Sequence, residues 1–215
     1  MIVDWPQLSD EQIESKAASF RDQALASLGF DPSGPVPVEQ IAEIYLGYDF
    51  DFVEANGRLG SDIIGGIDFD SNTIIINSAI EHHIGRYSFT IAHEIGHHVL
   101  HRELFLRARS GDSIMCRGGS KRPIEEVQAD RFAEALLMPR YAVIDCCRSI
   151  TGVRPLFRRH RLALASKVIK ASGLTNVSVS AMDIRLHHLN LTTKSGWKLS
   201  LLGDAMHRYI WRSWK

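Results

Sequence analysis

Cysteine is scarce in this 215-residue chain: there are three, Cys116, Cys146 and Cys147, an odd count with two of them adjacent. That excludes a disulfide framework and makes a reducing cytoplasm the expected compartment. Long apolar runs are missing too. No stretch approaches the ~20 residues that a bilayer-spanning helix needs, so no membrane partner is expected. The opening segment from Met1 to Gln12 has no apolar core and carries Asp4, Asp10 and Glu11, a composition that argues against a secretory leader. Internal repeats and low-complexity tracts are absent. The length and the 45% apolar content suit one substantial core with a smaller appendage.

Acidic residues nearly vanish from the last part of the chain. Residues 148–215 hold 13 Lys and Arg against only Asp183 and Asp204, whereas residues 1–147 hold 12 Lys and Arg against 23 Asp and Glu. A formal net charge of zero therefore conceals about −11 followed by about +11. The basic part predicts an acidic partner: another protein, a possible DNA contact, or the acidic part of the same chain.

Along the chain, Ser9 and Gln12 form a capping-box pattern, and Ile13, Ala17, Phe20, Ala24 and Leu28 recur at helical spacing until Gly29. A second short helix is predicted from Val38 to Leu46, closed by Gly47. Tyr48–Glu54, Asp62–Phe69 and Thr73–Asn77 read as strands of a small, mostly antiparallel sheet, the last two joined across Asp70 and Ser71. Helical periodicity returns from Arg86 to His101, followed by residues 102–122, rich in Arg, Gly and Ser, which read as a surface loop. Pro123 sits well at the first turn of a further helix that Pro139 stops after Met138. Beyond Gly152 the pattern predicts more helices, including one capped by Ser178 and running to Leu189 after a turn at Gly173, a helix-turn-helix-like arrangement. A hairpin at Ser195 and Gly196 and a terminal helix carrying Trp211 and Trp214 complete the reading. Of the exposed side chains expected on the Ser178–Leu189 helix, Arg185 is the main candidate base reader.

The chemistry concentrates in His93-Glu94-Ile95-Gly96-His97, the arrangement His-Glu-X-X-His. Residues four apart on a helix point in nearly the same direction, so both imidazoles can grip one metal ion while Glu94 lies beside them, free to accept a proton from water. Catalytic zinc normally takes three protein ligands. The metzincin solution needs glycine and histidine where this chain has Leu100 and Glu103, and is excluded. Glu126 and Asp130 offer another: spaced by four on the next predicted helix, Glu126 can bind zinc while Asp130 accepts a hydrogen bond from a ligand histidine. Two histidines and one carboxylate also suit Mn2+ or Fe2+.

These stretches resemble the ImmA/IrrE family of metallopeptidases. The likeness rests on Pro35–Gly47, Gly65–Asn77, Arg86–His101 (RYSFTIAHEIGHHVLH), Glu126–Pro139 (EVQADRFAEALLMP) and Val177–Leu191. It implies an α+β, zincin-like domain with an active-site helix, metal held by His93, His97 and Glu126 in the gluzincin manner, and Glu94 as general base. It further implies limited, site-specific cleavage of a protein substrate, a transcriptional repressor. Glu125 is the rival third ligand; Glu126 is favoured because it alone has an aspartate one turn on and stands in the family's place before Ala129. His98 and His101 are expected on the helix surface, with His101 the one able to line a cleft. Cys116 is a candidate fourth ligand against the simpler reading of an inert thiol, and Tyr87 and Tyr141 are candidates for stabilising an oxyanion. The domain reading is a peptidase unit, 1–147, followed by a basic, mostly helical region, 148–215.

Overall fold

The computed structural model describes residues 5–54, 64–108, 114–116, 123–152, 156–157 and 161–193. The first helix, α1 (Asp10–Leu28), begins at the expected capping box: Ser9 Oγ accepts from the Gln12 amide, and Gln12 Oε1 accepts from the Ser9 amide. It ends at Gly29, whose φ of 72° suits a residue without Cβ. Ile13, Ala17, Ala24 and Leu25 turn inward. The second helix is shorter and wider than its periodicity suggests, α2 (Val38–Gln40) passing into a π-helical turn, Ile41–Tyr45.

A four-stranded sheet follows, built from β1 (Asp49–Val53), β2 (Gly65–Asp68), β3 (Thr73–Asn77) and β4 (Ile114–Cys116), in the order β1-β3-β2-β4. The two pairings of β2 are antiparallel, and β1 joins β3 in parallel with Asp49 opposite Thr73. Asp68 closes the β2–β3 turn by accepting from the amides of Asp70 and Ser71. Ile74, Ile75 and Ile76 in central β3 are all fully buried, so both faces of that strand are covered.

The long helix α3 (Ile84–Ala108) continues seven residues past the expected end at His101, and β4 occupies part of the segment read as loop. The Arg-rich sequence there is the polar face of a helix rather than a loop: Glu103 and Arg107 pair one turn apart, while Phe105 packs edge-on against Phe69 at 5.3 Å. Two further helices complete this part, α4 (Ile124–Leu137) and α5 (Arg140–Thr151), separated at Pro139. α5 runs across residues 147 and 148, where the charge changes sign.

Two short parallel strands, β5 (Leu156–Phe157) and β6 (Thr192–Thr193), bracket α6 (Arg161–Ser172) and α7 (Val179–His188). The Ser178 cap and the left-handed Gly173 stand where expected. Basic residues here are ion-paired to acidic ones: Arg161 to Asp183 at 3.2 Å, and Arg185 to Glu14 at 2.6 Å. One apolar core runs from Ile13 in α1 through Ile95 and Phe132 to Leu164, Met182 and Leu186. Arg185 is buried, donating to Met138 O and to Glu14, which corrects its reading as an exposed base reader. Among the described residues no helix is long and apolar enough to cross a membrane. The expected hairpin at Ser195–Gly196 and the helix carrying Trp211 and Trp214 lie outside the described residues.

Candidate metal centre

The site is set by how closely α3 and α4 approach. A Cβ on Gly96 would stand 3.2 Å from Ala129 Cα and O and 3.3 Å from Phe132 Cβ, so the absence of a side chain lets the two backbones meet. That contact lies between His93 and His97 on one helix and Glu126 and Asp130 on the other. His93 and His97 are fully buried and Glu126 is nearly so.

The Nε2 atoms of His93 and His97 are 3.0 Å apart, and each lies 3.3 Å from one oxygen of Glu126. Donors held by one zinc at tetrahedral angles stand about 3.3 Å from each other. The three groups therefore fit a single divalent ion without rearrangement. Outer partners occupy the other ring nitrogens: His93 Nδ1 is 3.0 Å from Asp130 Oδ1, and His97 Nδ1 is 3.0 Å from His101 Nδ1. With both Nδ1 atoms engaged, both Nε2 atoms face the space beside Glu126.

The electrostatics of the metal-free cluster agree. Burial alone would push the His93 pKa down, but hydrogen bonds to Asp130 and Glu126, with the charges of Glu94 and Glu126, hold it up at about 9. Burial drives His97 the other way, below its ordinary value, despite Glu126. Glu126 is kept well below the usual carboxylate range because its bonds to both histidines outweigh its burial. These influences favour a protonated His93 near pH 7, and an ion bound by the same donors would have to displace that proton.

Glu94 is buried at 1% exposure, one residue after His93. Its Oε1 would lie 3.4 Å from a Cβ on Gly65, and the same Cβ would collide with Thr90 Cγ2 at 2.4 Å. Only glycine lets the start of β2 pass this close to α3, a requirement signalled in the sequence by the Gly65-Gly66 pair inside a strand. Glu125 is half-buried and outside the His93, His97 and Glu126 group. A cavity of about 640 Å³ opens beside Asp130, with Phe89 and Val127 on one side and Ala181, Ile184 and His188 of α7 on another.

His101 is fully buried rather than on the surface, and lies between His97 and Gln128. His98 is half-buried, its Nδ1 2.8 Å from the Tyr48 hydroxyl. Burial lowers both histidines to about 4, so their neutral forms predominate near pH 7. Thr90 and Gln128 lie inside the stretches that carry the family resemblance, but nothing in their spacing or chemistry marks them as part of the site. The Tyr87 hydroxyl donates to Glu39, and Tyr141 holds Arg21 over its ring at 5.3 Å; neither of these contacts involves a residue of the cluster. The Cys116 side chain lies outside what the structure describes.

No curated protein matches the chain. The profile described as the IrrE N-terminal-like domain, a peptidase family, matches residues 55–187, a span that contains the whole cluster. The chain belongs to the IrrE N-terminal-like family, and its His93, His97 and Glu126 cluster is that of a metal-dependent peptidase.

Proposed function

We propose that this protein is a cytoplasmic zinc-dependent endopeptidase that makes limited, site-specific cuts in a protein substrate, a transcriptional repressor. The observation that carries the reading is the convergence of His93 Nε2, His97 Nε2 and the Glu126 carboxylate, 3.0–3.3 Å from one another, with Glu94 beside them. Zinc is favoured over Mn2+ or Fe2+ because two imidazoles and one glutamate are a familiar catalytic zinc set. A bound ion supplies a Lewis acid that polarises the scissile carbonyl and acidifies water beside it.

The chain's own groups do the rest. His93 and His97 are held in place through their Nδ1 atoms, His93 by Asp130. Glu94, enclosed by Thr90 and the start of β2, accepts a proton from the attacking water and passes it to the departing amine. β4, the edge strand of the sheet among the described residues, offers backbone groups to an extended substrate strand. The cavity beside Asp130 receives a neighbouring substrate side chain against Phe89, Val127 and Ile184.

In this reading residues 1–147 supply the chemistry, and the basic region 148–215 chooses the substrate by docking on an acidic protein surface. The support is that α7 forms one wall of the cavity. Duplex binding through the basic region is the competing reading, and the inward position of Arg185 removes its main base-reading side chain. The test is to incubate the zinc-loaded protein with purified transcriptional repressors from its own cell and map fragments by mass spectrometry. One or a few discrete cuts are expected; an intact repressor in the presence of fully loaded enzyme contradicts this substrate assignment.

A further inference from the structure

A chain of polar contacts leads from the N-terminal segment to His97. The Pro6 carbonyl is 2.6 Å from Gln128 Nε2, Gln128 Oε1 is 3.0 Å from His101 Nε2, and His101 Nδ1 is 3.0 Å from His97 Nδ1. A backbone carbonyl only accepts, so the Gln128 amide must turn its NH2 towards Pro6 and its oxygen towards His101. The oxygen also only accepts, so His101 Nε2 must carry the proton. In neutral imidazole the other nitrogen then holds a lone pair, and His101 Nδ1 accepts from His97 Nδ1–H. His97 is left with its lone pair on Nε2, the atom facing His93 and Glu126. The links are enclosed: His97 and His101 are fully buried and Gln128 is 3% exposed, while Trp5 packs edge-on against the His101 ring at 5.1 Å.

We propose that the Pro6 carbonyl, acting through Gln128 and His101, fixes the tautomer of His97 so that Nε2 is presented to the metal. Gln128 and His101 are thus positioning residues, and the segment preceding α1 is part of the metal site. Each link is directional, so a fault at Gln128 is transmitted to His97 over two hydrogen bonds. The proposal rests on the reading of His97 as a metal ligand.

The test uses the full chain with 15N-labelled histidine. Long-range 1H–15N correlation of the metal-free protein near neutral pH reads the protonated nitrogen of each ring, and zinc affinity is measured by competition with a chromophoric chelator. The expected wild-type pattern is Nε2–H at His101 and Nδ1–H at His97. Gln128→Leu removes the acceptor and should give mixed His101 tautomers with zinc affinity weaker by about 10 to 100-fold, the usual range for a partner of a ligand histidine. Gln128→Glu cannot donate to Pro6, but either of its oxygens can accept from His101 without that carbonyl to orient it, so it should restore the tautomer pattern and part of the affinity. Nδ1–H at His101 in the wild type overturns the proposal. So does a Gln128→Leu protein that keeps the His93 signals of the native fold while retaining wild-type tautomers and affinity. The spectra need no metal, so a wild-type chain that takes up no zinc overturns the metal reading while the tautomers still decide the relay.

Discussion

Asp130→Asn separates two effects of one carboxylate, because Asp130 both supports His93 as a ligand and helps hold a proton on it. In the metal-free protein the His93 pKa is about 9 against an ordinary 6.5, with the Asp130 bond the largest influence raising it. That difference corresponds to about 3 kcal/mol favouring the protonated ring. At pH 7 His93 therefore carries close to one proton, whereas an imidazole at 6.5 would carry about a quarter of one. Metal binding must displace that proton, so apparent zinc affinity should rise about tenfold per pH unit from 7 towards 9 and then level off. Asparagine keeps an acceptor for Nδ1–H but loses the charge. The variant should bind more weakly at pH 9, by about 10 to 100-fold, yet show a shallower pH dependence because less proton is displaced. The advantage of the wild type should thus grow with pH. Chelator competition at several pH values measures the slopes, and calorimetry in buffers of different ionisation heat counts protons released per zinc. Parallel slopes for the two proteins, or a wild-type profile flat above pH 7, would contradict the role assigned to Asp130.

The same shifts predict how metal-free stability varies. His93 is raised in the folded state, so its contribution is complete below about 6.5 and is lost as pH rises to about 9. His98 and His101 are depressed to about 4, so theirs is present above about 6.5 and lost as pH falls through that range. Thermal melts of metal-free protein should peak near pH 6.5, and the Tm gain on adding zinc should grow from there to pH 9. Glu126→Ala should weaken zinc binding far more than Glu125→Ala; metal titrations in the opposite order would move the ligand to Glu125. Gly96→Val should drive α4 from α3 and lower stability by about 1–3 kcal/mol together with zinc affinity, and unchanged melts and titrations would contradict the close-packing account. Arg185→Leu should lose about 2–4 kcal/mol in denaturant unfolding by stranding Glu14 and the Met138 carbonyl, whereas a surface base reader would leave stability unchanged.

The features legible in the sequence were those with a short period. His93, His97, Glu126 and Asp130 declare themselves because spacings of four on two helices fix direction, and the capping box at Ser9 and the turn at Gly173 are equally local. What escaped depends on distant packing. Pro6 and Gln128 lie 122 residues apart, and no pattern in either neighbourhood indicates that they meet. Polar side chains on a helix usually face solvent, yet His101 and Arg185 are buried because each finds partners on another element. The overrun of α3 to Ala108 has a similar cause. Its last turns bury Phe105 against Phe69 of the sheet turn, a contact that Arg102, Glu103 and Arg107 mask in one dimension.

In the proposed function this centre hydrolyses peptide bonds with Glu94 as proton acceptor. The most direct test is to expose a complex peptide library to equal amounts of zinc-loaded wild-type and Glu94→Gln protein, with zinc content measured in both, and to identify new termini by mass spectrometry. Glutamine keeps the shape of the buried side chain but cannot take the proton, and losing a general base typically slows reaction by about 10²–10⁴-fold. Equal zinc is expected in the two proteins, with new termini from the wild type and almost none from the variant. Cleavage at the same sites and comparable rates by Glu94→Gln, or none by fully zinc-loaded wild type, would contradict the proposed function.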